Sequence, residues 1–204
     1  MIQQSKQIRN RLFKVSCKEY LSKQAESLLD LVEEIDKEEG PIKDGANIQF
    51  GWIILTVCER ESDWVIVAPD FTNNPFIDKT EDITISLNVL VGQTYNLNKM
   101  QVEGEATLFH DKIVVAKGVF DMEHVYLERS QKSGDGDSGW YVGPVEKPDG
   151  EIELESYYVY QLLALRPSLL QALALPTGYM VVFDGKEIEV VLDPYDVNVW
   201  SFEK

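Results

Sequence analysis

Val125-Tyr126-Leu127-Glu128-Arg129, then Ser130 to Gly136, then Asp137-Ser138-Gly139-Trp140-Tyr141-Val142-Gly143-Pro144 form the stretch around which the rest of the chain is read. An apolar run, a segment rich in Gly, Ser and Asp, and a second apolar run fit a strand, a turn and a returning strand. Gly134, Gly136 and Gly139 reach positive φ at little steric cost, and Asp135, Asp137 and Ser138 can bond their own backbone. Trp140 leaves the turn as a large amphipathic side chain whose indole N–H needs a partner if buried. Two readings stay open: a well-made hairpin loop, or a rigid loop that presents Asp137 and Trp140 to a partner.

Working outward, Val114-Val115-Ala116-Lys117 precedes this stretch. Val159-Tyr160-Gln161-Leu162, Arg166-Pro167-Ser168-Leu169-Leu170 and Leu175-Pro176-Thr177-Gly178 follow it. In this order, over about Ile113 to Asp184, these segments resemble the bacterial immunity protein 33 family. Where that family usually carries a Gly-acidic-Glu segment, this chain has Gly143-Pro144-Val145-Glu146. The resemblance implies a protein that neutralises a toxin by binding it, and it brings no catalytic residues.

The net charge is −16 and unevenly spread. Residues 1–23 carry six basic side chains (Lys6, Arg9, Arg11, Lys14, Lys18, Lys23) against Glu19, which leaves 13 basic and 34 acidic side chains in the rest. Such a body disfavours nucleic acid, because phosphate contacts need a basic face. It would steer a basic protein partner, and an acidic surface also serves plain solubility. The basic N-terminal segment is brief and lacks the aromatic platform that binds single strands. No apolar run reaches the length of a membrane span, and no signal-peptide centre is visible, so a cytoplasmic protein is expected. Cys17 and Cys58 lie far apart and are read as reduced.

The fold class expected is α+β: a mainly antiparallel sheet with an N-terminal helix, a candidate central helix and a C-terminal helix pair. Residues 1–15 suit a short strand or an arm. Ser16 with Glu19 reads as a capping box opening a helix to about Glu38, with Leu21, Ala25, Leu28, Leu29, Val32 and Ile35 as its apolar stripe. Acids crowd the far end of that helix, Asp36 among them, where the dipole disfavours them. Phe50–Val57 and Trp64–Ala68 read as a hairpin. Thr80–Tyr95 fits a strand by alternation and a helix by its 3.6 period, with Thr80 as cap; the helix is favoured. Glu105–Phe109 and Lys112–Ala116 read as a hairpin turned at His110-Asp111. Pro148-Asp149-Gly150 reads as a turn. Glu151, Glu153 and Glu155 alternate with Ile152 and Leu154, which places the acids toward solvent. Tyr157–Leu165 and Pro167–Leu175 form the helix pair, Tyr179–Phe183 and Glu187–Leu192 a last hairpin, and Tyr195, Trp200 and Phe202 dock the tail. The organisation expected is an N-terminal α+β region, 1–104, and an immunity-protein-like α+β domain, 105–204, with the two as parts of one domain left open.

Catalytic signals are sparse. His110, His124 and the two cysteines lack paired ligand spacing, and no GxSxG or phosphate-cradling loop occurs. Asp135-x-Asp137 with Glu146 mimics a calcium loop but has Trp140 where glycine is required. No metal, cofactor or catalytic residue is assigned. The reading is a non-catalytic protein that occludes a partner, with a basic toxin such as a nuclease as the fitting target. The candidate contacts are Asp135, Asp137, Trp140, Glu151, Glu153 and Glu155. A carboxylate-dependent hydrolase and a housekeeping interaction module remain as alternatives.

Overall fold

The computed structural model describes residues 1–61, 63–132, 134–146 and 150–200. Pro148 and Asp149 of the expected turn, and Phe202 of the tail, lie outside the described residues. The chain divides into two compact units, Met1–Val91 and Gly92–Lys204. Each holds a six-stranded mixed sheet, so the α+β class and the mainly antiparallel pairing both stand.

In the first unit β1 (Ile2–Ile8) and β2 (Arg11–Cys17) form a hairpin closed at Arg9, whose φ is 51°. Helix α1 (Ser22–Glu38) packs on both strands through Ala25, Leu28, Leu29 and Val32. The sheet continues through β3 (Asn47–Phe50), β4 (Ile53–Arg60), β5 (Asp63–Pro69) and β6 (Lys79–Thr80), in the order β1-β2-β5-β4-β3 with β6 on β5. Among the described strand pairs of this sheet β2 and β5 run parallel and the others antiparallel. Phe13, Val15, Leu55, Val57 and Ile66 fill the interior.

Three expectations change here. Ser16 is not a helix cap: it belongs to β2, its carbonyl accepts the Ile83 N–H at 3.0 Å, and α1 begins six residues later without a side-chain cap. Strand pairing with Gln3 competes with the capping box and wins. Phe50–Val57 is two strands rather than one, broken at Gly51 (φ 62°), where a Cβ would come 2.4 Å from the Leu90 side chain. Asp36 is no surplus charge. It is fully buried and accepts the Arg9 Nε at 2.6 Å, an Arg11 guanidinium N–H and the Ile42 backbone N–H at 3.0 Å. Burial pushes its pKa up, but the Ile42 N–H and the two arginines outweigh that and leave it below the ordinary carboxylate value. The basic N-terminal stretch is thereby largely neutralised in place, since Lys6 also pairs with Asp30 and Glu33, and Lys14 with Asp63.

Helix α2 (Thr84–Met100) bears out the helical reading of the central stretch, though it starts at Thr84 rather than Thr80. The Asp82 carboxylate accepts the Thr84 N–H at 3.0 Å. The boundary between the units, Val91/Gly92, falls within this helix.

The second unit orders its strands β10-β7-β9-β8-β11-β12: β7 (Lys112–Ala116), β8 (His124–Arg129), β9 (Asp137–Pro144), β10 (Leu154–Tyr158), β11 (Met180–Asp184) and β12 (Glu187–Leu192). β8/β9 and β11/β12 are the expected hairpins. Residues 105–109 form no strand. Both sides of β7 are taken, by β10 antiparallel and β9 parallel, so no edge remains for them. The expected helix pair is a series of short turns: 3-10 at Val159–Gln161, α3 at Leu162–Leu165, and 3-10 at Pro167–Ala172. Arg166 at φ −158°, followed by Pro167, prevents a continuous helix. In the tail Trp200 is buried and Tyr195 is 85% exposed.

Candidate functional site

Arg129 and Trp140 face each other in the β8/β9 register. Gly136 enters β9 at φ 78°, and the Asp137 N–H closes on Gly134 O at 3.2 Å. Asp137 and Ser138 then cap the strand start: the Asp137 carboxylate accepts the Gly139 N–H at 2.9 Å and the Ser138 hydroxyl accepts the Trp140 N–H at 3.1 Å. Gly139 is required here. Its φ is 76°, and a Cβ would sit 2.3 Å from the Ser130 carbonyl oxygen.

Trp140 is 1% exposed, with its indole N–H directed at Thr107 Oγ1 (3.2 Å) and Leu173 O (3.3 Å). It holds the hairpin from inside and does not stand at the surface. Arg129 is also 1% exposed and lies 5.7 Å from the Trp140 ring centroid. Its Nη1 donates to Glu105 O at 2.8 Å and Leu175 O at 2.5 Å, and its Nη2 to the Glu105 carboxylate at 2.9 Å. The Arg129 backbone bonds Gly178 and Tyr179, so strand β8, the 105 segment and the 175–179 turn meet at this one residue. Burial lowers the guanidinium pKa, and Glu105 partly offsets that. Arg166 does the same work elsewhere in this unit, donating to the carbonyls of Val119, Met122, Glu123 and Gly185.

The five acidic candidates fall into two groups. Asp135 is exposed and Asp137 half-buried at the start of β9. Glu151 and Glu153 are exposed and Glu155 is half-buried, at and before the start of β10. Glu153 pairs with Lys117 at 2.7 Å, and Glu155 accepts the Tyr157 hydroxyl at 2.8 Å, which raises the Tyr157 pKa. β7 separates the groups. Asp137 lies level with Lys112, and Leu154 level with Ala116. At about 3.3 Å per residue and 4.8 Å per strand, Asp137 and Glu153 are roughly 15–20 Å apart. Sequence alternation placed Ile152 and Leu154 opposite the acids, and the structure leaves those apolar residues exposed as well, at 40% and 58%. Glu155 instead shares its face with buried Val115.

A cavity of about 430 Å³ in this unit is lined by Asn96, Lys99, Gln171, Glu187, Glu189 and Trp200 among others, and none of the six candidates lines it. Residues missed from sequence are Arg129, Glu105 and Arg166. Arg129 was findable: Val125, Leu127 and Arg129 alternate onto one face, and the first two are core residues.

Among the described residues no helix is long and apolar enough to cross a membrane. The family model of the Imm33-like domain matches residues 92–196, just over half of the chain, and includes the whole stretch Ile113–Asp184. No curated protein and no solved structure matches the chain.

Proposed function

The chain belongs to the Imm33-like family, and from that premise we propose that it is a cytoplasmic immunity protein that binds a cognate toxin and occludes it without catalysis. The family match carries this reading. The −16 net charge supports a basic target such as a nuclease, whose substrate site an acidic surface would reach fast and mask.

Asp135, Asp137, Glu151, Glu153 and Glu155 are the proposed contacts. Their two groups fit one partner, because a standard interface of about 800 Å² per side is roughly 30 Å across. Trp140 contributes by holding the turn that presents Asp135 and Asp137. The test is co-expression with the toxin encoded beside this gene. Cells carrying both proteins survive, and cells carrying the toxin with the Asp135→Lys, Glu151→Lys, Glu153→Lys variant lose protection. Death of cells carrying the unaltered chain would remove the proposal's support.

A further inference from the structure

Strand β10 is one edge of the second unit's sheet, and among the described residues it pairs with β7 alone. The bonds Lys117 N–H to Glu153 O and Val159 N–H to Asp111 O, both 2.9 Å, fix its orientation. In an antiparallel ladder alternate residues point their main-chain groups at the neighbour. Glu153, Glu155, Tyr157 and Val159 therefore face β7, and the N–H and C=O groups of Leu154 and Ser156 face outward. Tyr158, next in that outward series, has its N–H satisfied by the Gln161 side chain at 2.8 Å.

The opposite edge is handled differently. There the tail covers β12, with Val199 N–H on Val191 O at 2.8 Å and Asp193 N–H on Val197 O at 2.9 Å. Native edges are covered, or blunted by lysine, proline or bulges, because an open row of donors and acceptors templates another strand. Among the described residues no segment, lysine, proline or bulge protects Leu154–Ser156; Glu155, beside buried Val115, is the one inward-facing charge there, and Ile152 and Leu154 are exposed beside that open row.

We propose that the β10 edge is where the toxin docks, by adding an extended basic segment as a seventh strand alongside Leu154–Ser156. This deepens the immunity reading and rests on it. The main chain supplies the pairing, Leu154 supplies apolar contact, and Glu151, Glu153 and Glu155 select positive charge. The same acids argue against a second copy as occupant. Antiparallel pairing of two chains about Leu154 sets Glu153 opposite the other copy's Glu155, and like charges directly opposite destabilise a strand pair.

The experiment is amide hydrogen exchange on the full chain, free and mixed with the catalytically inactivated toxin encoded beside it, together with affinity for Ser156→Pro and Ser156→Ala. Proline removes only an outward N–H at an edge, where it is tolerated. The expected result is slower exchange at Leu154 and Ser156 in the complex by tenfold or more. Affinity falls at least tenfold for Ser156→Pro and stays within twofold for Ser156→Ala. A complex that forms with unprotected Leu154 and Ser156 amides overturns the edge proposal and leaves the immunity reading standing. This readout uses the unaltered chain, so it holds even if the proline variant misfolds. Absence of any complex overturns both. Concentration-dependent protection of these amides in the chain alone identifies a second copy as the occupant and overturns the proposal.

Discussion

Replacing Arg129 by Met tests whether the most recognisable stretch of this chain is architecture. The change keeps an unbranched side chain of similar length and removes every donor. Leu175 O, in a turn where Leu175 is 2% exposed, loses its 2.5 Å partner; leaving a buried acceptor unsatisfied costs about 1–3 kcal/mol. Glu105 O loses a 2.8 Å bond nearer the surface, for about 0.5–1.5 kcal/mol. The Glu105 carboxylate is 46% exposed and is rehydrated, so its lost ion pair adds little. One gain opposes these losses: Arg129 Nε is a buried donor without an acceptor among the described residues, and Met removes it. Removing that unsatisfied donor returns at least about 1 kcal/mol on the same scale, so the net expectation is a loss of about 1–2 kcal/mol. Urea unfolding followed by amide signals of the second unit reads it as a midpoint lowered by about 0.5–1 M, taking m near 2 kcal/mol/M. Glu105→Gln is the control and shifts the midpoint by less than about 0.5 M. If Arg129→Met unfolds where the unaltered chain does, yet no longer protects against toxin, Arg129 belongs to the interface and the structural argument fails.

Gly139→Ala meets both a left-handed backbone and the Ser130 carbonyl, and should lose at least about 2 kcal/mol in thermal unfolding, whereas Gly134→Ala, with open space around it, stays within about 0.5 kcal/mol. Trp140→Phe removes the donor to Thr107 and Leu173 and costs about 1–2 kcal/mol by the same measurement. Asp36 has a folded pKa below its unfolded one, so its stabilisation is complete above the ordinary carboxylate value near pH 4 and is lost as pH falls through the folded value. Asp36→Asn should therefore lower the stability of the first unit by about 2–3 kcal/mol at pH 7 and flatten the acid side of its stability profile. Glu33, held down to about 2 by Lys37 and Lys6, changes in the same direction, and Glu33→Gln loses a smaller acid-side slope.

Hairpins were legible where a turn residue sat between two apolar runs: Gly185 between β11 and β12, and the Gly/Ser/Asp segment before Trp140. Periodicity located α1 and favoured α2. What failed shares a cause, since pairing partners distant in sequence decide which local signal prevails. Ser16 and Glu19 satisfy a capping pattern, but Gln3 and Ile83 claim Ser16 for the sheet. Residues 105–109 alternate like a strand, but β9 and β10 had already filled both sides of β7. The candidate contacts were legible as an acidic, loop-rich region. Their separation across β7 depends on the parallel pairing of β7 with β9, which no local pattern encodes. Trp140 looked like an anchor because an aromatic beside a Gly-rich turn suits either face, and only the positions of Thr107 and Leu173 decide which one.

The measurement that bears most directly on the account is the association rate of the chain with the inactivated toxin encoded beside it, over rising salt, alongside unfolding midpoints. Charge reversal at the exposed Glu151 and Glu153 is expected to slow association at least tenfold at low salt and shift the midpoint by less than about 0.5 M. Trp140→Phe is expected to lower the midpoint and leave the rate unchanged. Salt-insensitive association, with the rate lost on changing Trp140 and kept on reversing the acids, would contradict it.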